Sequence, residues 1–326
     1  MITLKTLDEI KAPIEKELEI FEERFKSELK SKVSLLDTIM RFVIKRKGKQ
    51  VRPLFIFLAA EICGKTCETT YHAASLVEML HTATLIHDDV VDDSMQRRGF
   101  FSLNALWGNK VAVLIGDYLL SKGLLLSLKH GAYQLLHICS DAIREMSEGE
   151  LLQIEKARRL DIKEEIYFEI IRKKTASLIA SACAAGAASV GATDEEIERM
   201  RLMGEKIGIA FQIRDDLFDF GDGDAGKPQG NDIQEKKMTL PLIHALNTTD
   251  KTHRNQIINI IKNENTNPKK IQEVTEFVIN SPGIEYTKQS MYHYRNEAIE
   301  LLRSFPPSLA RESMEDLVMF VTERKR

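Results

Sequence analysis

The amino-acid sequence predicts an all-α protein built as a single domain. Apolar residues recur with helical spacing along most of the 326-residue chain, and convincing strand-type alternation is absent. The chain has 8 prolines and 17 glycines, and neither a low-complexity tract nor an internal repeat marks a linker. Length alone suggests about two domains. Because no linker divides the chain, we expect one domain over residues 1–326.

Turn-forming residues divide this periodicity into segments. Glycines at positions 48, 64 and 99, and an N-cap aspartate at 194 after Gly191, mark four of the breaks. The expected helices cover 8–30, 33–46, 51–62, 69–95, 102–109, 111–129, 131–158, 164–190, 194–220, 232–246, 251–263, 268–279, 283–304 and 308–324. Small residues dominate 176–188, which favours close packing of neighbouring backbones.

Composition excludes several classes of protein. The formal net charge is −3, so the basic excess needed for nonspecific nucleic-acid binding is missing. Of the four cysteines, Cys63 and Cys67 are four residues apart, but no second Cys/His pair has a spacing that would complete a zinc site. The cysteines therefore indicate reduced thiols in a cytoplasmic protein, not a zinc site or a disulfide framework. The charged amino terminus is unlike a signal peptide. The most apolar run, 178–192, is shorter than the roughly 20 residues of a membrane span, so we expect none.

Two aspartate clusters of identical spacing are the strongest chemical signal. The first comprises Asp88, Asp89 and Asp92, and the second comprises Asp215, Asp216 and Asp219. Each lies in an apolar, helix-like stretch, where residues at i and i+4 share a face. Two carboxylates about 4 Å apart repel by roughly 4 kcal/mol at an effective dielectric of ~20. A cation must offset this repulsion, and all-oxygen ligands indicate Mg²⁺ completed by phosphate oxygens.

Basic residues follow the acidic clusters along the chain. Arg97 and Arg98 come one turn after Asp92, a basic turn covers 45–52, and Lys173-Lys174-Thr175 interrupts an apolar helix. Singly, each is typical of a solvated surface; together they could bind two polyanions. Four glycines within 221–230 indicate a mobile loop carrying Lys227, either a lid over the site or an ordinary connector.

The chain resembles the trans-isoprenyl diphosphate synthases of the polyprenyl synthetase family. The resemblance rests on KGKQVRP, VEMLHTATLIHDDVVDDSMQRRG, GDYLLSKG, KTAS and GIAFQIRDDLFDFGDGDAGKPQGNDIQEKKMTLPL, in that order between about residues 45 and 245. It implies an antiparallel all-α bundle around a deep central cavity, usually as a homodimer. It also implies condensation of isopentenyl diphosphate with an allylic diphosphate, with about three Mg²⁺ per active site.

The resemblance also implies roles for individual residues. Two metal ions would bind Asp88, Asp89 and Asp92, and a third would bind Asp215 with the rest of its cluster, Asp216 and Asp219. The allylic diphosphate would contact Arg97, Lys174, Thr175, Gln212, Lys227 and Lys237, whereas isopentenyl diphosphate would contact Lys49, Arg52, His81 and Arg98. Asp88, Asp89, Asp92, Arg97, Lys174 and Lys227 would be the catalytic set. The chain has one glycine where the family commonly has two, at Gly48, and Lys236 competes with Lys237 for its role.

Two small residues lie one turn before the first cluster. Short-chain members of the family usually carry an aromatic side chain near this point, where this chain has Ala83 and Thr84. The resemblance therefore implies a long product of about six to nine isoprene units, octaprenyl favoured. Alternatively, a bulky group on the facing helix, 111–129, closes the cavity earlier.

Three other functions compete with synthesis. A terpene cyclase typically lacks the second aspartate-rich motif, and a non-catalytic regulatory subunit generally loses one of the two. Both motifs are intact here. A helical scaffold that binds Mg²⁺ or polyphosphate without turnover is the third alternative. Release of the product could add a peripheral membrane contact.

Overall fold

The computed structural model describes residues 5–45, 51–97, 100–157, 163–221 and 230–323. Within these ranges the chain is helical apart from one short antiparallel pair, β1 (Gln96–Arg97) and β2 (Phe100–Phe101), with Gln96 opposite Phe101. The predicted all-α class is therefore confirmed.

Seventeen α-helices make up the described part of the chain. The first nine are α1 (Leu7–Lys11), α2 (Glu15–Glu28), α3 (Ser34–Lys45), α4 (Val51–Cys63), α5 (Glu68–Val91), α6 (Leu103–Trp107), α7 (Asn109–Lys129), α8 (Tyr133–Ala157) and α9 (Glu164–Ile171). The others are α10 (Ser177–Ser189), α11 (Asp194–Phe218), α12 (Asn231–Gln234), α13 (Leu240–Thr248), α14 (Lys251–Asn263), α15 (Pro268–Ile279), α16 (Gly283–Arg303) and α17 (Leu309–Glu323). A 3₁₀ turn, Ala12–Ile14, joins α1 to α2, and a π-helical turn, Arg172–Ala176, joins α9 to α10.

The hairpin of α10 and α11 is central to the bundle. A side chain at Gly204 would lie 2.9 Å from the Cα atom of Ala180, and one at Gly208 would collide with Ala176. These pairings run in opposite directions along the two helices, so α10 and α11 are antiparallel. The small residues of 176–188 thus bring two backbones close together, as their composition predicts.

α5 packs against this hairpin, and α7 packs against α5. The hydroxyl oxygens of Thr70 in α5 and Ser189 in α10 are 2.8 Å apart, so the first turn of α5 meets the last turn of α10. α5 is therefore antiparallel to α10, and its carboxyl end lies toward the start of α10. α7 packs antiparallel to α5, because Gly123 faces Leu76 and Gly116 faces His87.

Buried apolar side chains form two clusters. The larger cluster joins α2, α4, α5, α7 and α10 and includes the aromatic rings of Phe21, Phe25 and Phe57. The smaller cluster joins α9, α11 and the helices from α13 to α16, and it contains Tyr167 and Ile213. The second cluster supports α9 and the carboxyl-terminal half of α11.

One described helix, α7, is long and apolar enough by composition to cross a membrane. It packs along α5 within the bundle, and 33% of its most apolar window is buried. Its outer face exposes apolar side chains: Val113, Leu114, Leu124, Leu125 and Leu128.

Several predicted helix boundaries are wrong. The helix expected over 232–246 is interrupted, because Lys236 has a φ of 57° and Pro241 occupies the first turn of a separate helix, α13. The helix expected over 8–30 contains the 3₁₀ turn at Pro13. The helix expected over 69–95 ends at Val91, just before Asp93, whose φ is 48°. The helix expected over 164–190 holds the π-helical turn.

Candidate active site

Helix directions bring the two aspartate clusters to one end of the bundle. Asp88 and Asp89 lie in the last turn of α5, and Asp215 and Asp216 lie in the last turn of α11. Both helices are antiparallel to α10, so both of these turns lie toward its amino-terminal end. The π-helical turn that carries Lys174 leads into α10 from this same end.

Asp216 is the buried centre of the second cluster. Asp216 is only 6% exposed, and both of its carboxylate oxygens accept hydrogen bonds. The Tyr167 hydroxyl donates to Oδ2 over 2.7 Å, and Gln212 Nε2 donates to Oδ1 over 2.9 Å. The Thr175 hydroxyl in turn donates to Gln212 Oε1 over 2.8 Å. A hydrogen-bonded chain therefore links α9, the π-helical turn and α11.

Asp219 has a different set of partners. The backbone N–H groups of Asn231 and Asp232 donate to its two carboxylate oxygens, each over 3.1 Å. Asp219 thus joins the end of α11 to the start of α12, the two elements that flank the segment 222–229 outside the described residues.

A fourth carboxylate, that of Asp232, lies beside this cluster. Burial, with repulsion from Asp232, raises the pKa of Asp216 to about 7. Burial likewise raises the pKa of Asp232 to about 6, although Lys237 opposes this shift. Desolvation also raises the pKa of Asp219, against its backbone hydrogen bonds. Burial thus disfavours the charged form of all three carboxylates, and repulsion between neighbouring carboxylates adds to this for Asp216 and Asp232.

A cavity of about 190 Å³ opens beside Asp216. It includes five residues that the sequence predicts at the site, namely Lys174, Thr175, Gln212, Asp216 and Lys237. Its other lining residues are Gln153, Ala157, Tyr167, Ile170, Ile171, Asp232, Lys236, Met238 and Thr239. Carboxylates, cations and neutral hydrogen-bonding groups thus share one concave site of the kind that binds small anionic ligands.

Two of the three lysines that line this cavity, Lys174 and Lys237, pair with carboxylates. Lys174 Nζ pairs with Glu150 and lies 3.4 Å from Gln153 Oε1. Its neighbour Lys173 instead pairs with Glu148 over 3.0 Å and with Glu169 over 3.5 Å. Lys174 lines the cavity, whereas Lys173 does not.

The structure also distinguishes the two lysines beyond α12. Lys236 Nζ donates to the carbonyl oxygen of Lys262 over 2.8 Å. Lys237 Nζ pairs with Glu235 and lies 3.9 Å from an Asp232 oxygen. The ammonium of Lys237 therefore faces the acidic residues of the cavity.

The first cluster is more open than the second. Asp89 is buried and Asp88 is half-buried, whereas Asp92 is exposed at the C-cap of α5, where its N–H donates to the Asp88 carbonyl oxygen over 2.8 Å. Asn104 Nδ2 donates to the Asp89 carbonyl oxygen over 3.1 Å, which ties this turn to α6. Within the described ranges, none of these three aspartates lines the cavity beside Asp216.

The remaining predicted basic residues are placed only in part. Arg52 lies in the first turn of α4 and is half-buried, and His81 is half-buried on α5, two turns before Asp88. Lys49, Arg98 and Lys227 lie outside the described residues. The backbone of Arg97 belongs to β1, and its side chain is likewise outside the described part.

Both the sequence and the fold of this chain match those of known proteins. The Polyprenyl synthetase family profile matches residues 33–278. The all-trans-nonaprenyl-diphosphate synthase (geranyl-diphosphate specific) of Rhodobacter capsulatus is 35% identical over 319 residues, covering 97% of this chain and 97% of that protein. The octaprenyl diphosphate synthase of Escherichia coli (strain K12) is 34% identical over 302 residues, covering 92% and 93%. A decaprenyl diphosphate synthase structure from Rhodobacter capsulatus has a TM-score of 0.92 at 32% identity, covering 98% and 99%.

The chain belongs to the polyprenyl synthetase family. It is accordingly a trans-prenyltransferase, and its fold is that of the isoprenoid synthases. The products named for its relatives range from short-chain and geranylgeranyl to nonaprenyl diphosphate.

The donor set of this synthase fits divalent cations. Asp216 and Asp232 are buried carboxylates whose raised pKa values come first from desolvation, and a bound cation would favour their charged forms. Among the described residues, no three His, Cys, Asp or Glu side chains converge closely enough to hold a metal ion alone. A hard cation such as Mg²⁺ typically binds one or two carboxylates and takes its other oxygens from water and phosphate.

Several residues of the site have no role in the expectations drawn from sequence, and three of them carry polar groups that contact Asp216, Lys174 or Lys237. Tyr167, Gln153 and Asp232 all line the cavity. Asp232 lies within a segment that carries the resemblance, GNDIQEKK, so its carboxylate could have been assigned. Tyr167 and Gln153 lie on helices whose apolar periodicity gives no sign of a binding role.

Proposed function

We propose that residues 1–326 form one synthase domain that joins isopentenyl diphosphate to an allylic diphosphate and makes a long-chain trans-polyprenyl diphosphate. The observation that carries this proposal is the cavity in which Lys174, Thr175, Gln212 and Lys237 surround the acidic centre at Asp216. Such a site suits a diphosphate, because it combines cations, neutral donors and carboxylates that can share a metal with phosphate oxygens.

The acidic clusters would bind the metal ions, and the basic residues would bind the diphosphate of the allylic substrate. Asp88, Asp89 and Asp92 would hold Mg²⁺ at one wall, and Asp215 would hold it at the other with Asp216 and Asp219. When bound, Mg²⁺ neutralises charge on the leaving diphosphate. Lys174, Lys237, Arg97 and Lys227 add positive charge to the same oxygens, and Thr175 and Gln212 orient them.

The second substrate needs its own cationic pocket. Arg52 and His81, with Lys49 and Arg98, would bind isopentenyl diphosphate and align its double bond with the allylic carbon. Apolar helix faces beneath the aspartates keep water from the allylic cation. The departing diphosphate accepts the proton lost after condensation, so a side-chain base is not required.

The length of the product depends on the depth of the cavity below Asp88. Ala83 is fully buried, whereas Thr84 is half-buried, and its hydroxyl donates to the His81 carbonyl oxygen over 2.9 Å. The buried face of α7 consists of Ala112, Ile115, Gly116, Leu119, Gly123 and Ser127. The single ring on α7 is that of Tyr118, which is half-buried and bonds Lys122. Four of the six buried residues on α7 are small, which supports a long product, with octaprenyl diphosphate favoured over a farnesyl or geranylgeranyl product.

A ring at position 84 tests this length assignment. Thr84→Phe should shorten the product by two or more isoprene units, because the ring would enter the space below Asp88. Ala83→Phe is the less suitable change, since overpacking a closed core costs about 1–3 kcal/mol. Thr84→Val is the matched control and should leave the product length unchanged. Full-length product from Thr84→Phe would contradict the assignment.

We also propose a cytoplasmic homodimer. The exposed apolar face of α7 supports this arrangement, because contiguous apolar patches on soluble proteins usually mark interaction sites. The same face could instead make a peripheral membrane contact. Sedimentation with and without vesicles separates these two possibilities.

Turnover by the purified chain tests the proposed function. The protein is incubated with farnesyl diphosphate, labelled isopentenyl diphosphate and Mg²⁺, and the dephosphorylated products are sized. We expect Mg²⁺-dependent chains of about six to nine isoprene units. Products of three or four units would support a short-chain synthase instead. Binding of Mg²⁺ and diphosphate without turnover would indicate a non-catalytic helical subunit.

A further inference from the structure

Tyr167 is a buried tyrosine at the site to which neither the sequence nor the proposed chemistry gives a role. It lies on α9 and is only 4% exposed, with its ring 5.3 Å from that of Phe168. Its hydroxyl donates to Asp216 Oδ2 over 2.7 Å.

The orientation of Asp216 controls a longer chain of contacts. Oδ2 is fixed by Tyr167 and Oδ1 by the amide nitrogen of Gln212. With its nitrogen toward Asp216, Gln212 turns its amide oxygen toward the Thr175 hydroxyl. Each contact fixes the direction of the next, because an amide has one donor end and one acceptor end.

The surroundings of Asp216 explain why a second donor is needed. Asp215 and Asp232 both repel its charge, and the carboxylate is almost completely buried. A neutral donor from α9 offsets part of this cost. Unlike a cationic side chain, it does not compete with a metal ion for the carboxylate, nor does it bind the diphosphate. It also ties α9 to α11 across the wall of the cavity. Partners of this kind typically change affinity or activity about 10- to 100-fold when removed.

We propose that Tyr167 is a positioning residue for prenyl transfer: its hydroxyl holds Asp216 and, through Asp216, keeps Gln212 and Thr175 oriented toward the allylic diphosphate. The inference rests on the proposed function, because it assigns the allylic diphosphate to this cavity. Tyr167 itself does not touch the reacting atoms.

Tyr167→Phe tests the role, with Tyr286→Phe as the matched control. The Tyr286 hydroxyl also donates to a carboxylate, that of Glu164 at the start of α9, but Tyr286 does not line the cavity. We expect Tyr167→Phe to bind a non-reactive allylic thiodiphosphate about 10- to 100-fold more weakly in the presence of Mg²⁺. Its kcat/KM for the allylic substrate should fall by a similar factor. The KM for isopentenyl diphosphate should stay within about twofold, and the control should bind and turn over normally.

A double-variant cycle separates positioning from a merely structural effect. Gln212→Met removes the other side-chain donor to Asp216, so the affinity losses of Tyr167→Phe and Gln212→Met should be non-additive. Additive losses, or a Tyr167→Phe protein that binds and turns over like the control, would overturn the inference. An inactive wild-type protein would instead overturn the proposed function, so the two failures are distinguishable.

Discussion

The two aspartate clusters share their spacing but not their surroundings. Asp92 is exposed at the end of α5, and among the described residues its carboxylate accepts no hydrogen bond. Asp219, its counterpart in the second cluster, has both oxygens on backbone N–H groups. Asp216 is likewise held by two side-chain donors. The last aspartate of the motif must therefore be ordered by a ligand in the first cluster, whereas the protein itself orders its counterpart in the second.

This difference has a physical consequence. A carboxylate held by the protein loses little freedom when a cation binds, because its orientation is already set. An exposed carboxylate must be ordered by the ligand itself. We infer that a variant of the exposed Asp92 impairs the reaction with little effect on folding, whereas variants of Asp216 and Asp219 affect both.

The largest expected effect is on catalysis by the first cluster. Asp92→Asn removes one negative charge from an exposed side chain, so we expect kcat to fall about 10³-fold, with higher Mg²⁺ needed for half-maximal rate. The midpoint of thermal unfolding should change little, since no described contact is lost. Asp93→Asn, the next residue along and also exposed, is the control. A large loss of stability in Asp92→Asn would erase the contrast between the clusters.

The next effect concerns pH. The pKa of Asp216 is about 7 in the folded protein and near 3.8 in an unfolded chain. Between these two pH values the folded state therefore binds more protons than the unfolded state. The metal-free protein should therefore lose about 2 kcal/mol of unfolding free energy between pH 5.5 and pH 8. Mg²⁺ should stabilise the protein more at pH 8 than at pH 5.5.

Denaturant unfolding at the two pH values measures this slope. Asp216→Asn should remove most of this slope, and the smaller remainder should come from Asp232, whose pKa is also raised. An unchanged slope in Asp216→Asn would contradict the assignment of the buried charge to this residue.

A smaller effect is expected on the capping contact of Asp219. Asparagine keeps one acceptor but presents an amide group to the other backbone N–H, so Asp219→Asn should cost about 1 kcal/mol of unfolding free energy. Activity should fall less than in Asp92→Asn, although the chemical change is identical. Urea unfolding and steady-state rates of the two variants make the comparison. Equal losses of activity with unchanged stability would indicate that Asp219 acts as an open ligand.

Sequence reasoning succeeds where periodicity or a charge pattern governs the structure. The apolar spacing predicts most helices of the bundle, and the resemblance correctly identifies the family. Lys174, Thr175 and Gln212, which the resemblance assigns to one ligand, do line one cavity, while their roles stay a prediction.

What the sequence does not predict depends on contacts between distant elements. The π-helical turn packs closely against α8: a Cβ atom added at Gly149 would lie 2.8 Å from the backbone nitrogen of Lys174. Apolar periodicity cannot predict this contact between two helices. The interruption of 232–246 does have a local signal, since Pro241 favours the first turn of a new helix. The role of Tyr167 requires α9 and α11 to be adjacent, which no single segment encodes.

Diffraction from crystals grown with Mn²⁺ and a non-reactive allylic thiodiphosphate tests the central claim most directly, because Mn²⁺ gives an anomalous signal. We predict Mn²⁺ peaks against both clusters, with the diphosphate between them. Asp216 should remain on Tyr167 and Gln212, Asp219 should remain on Asn231 and Asp232, and the side chain of Asp92 should become ordered on metal. Mn²⁺ at only one cluster, or a second cluster that abandons these hydrogen bonds to coordinate the ion, would contradict the account.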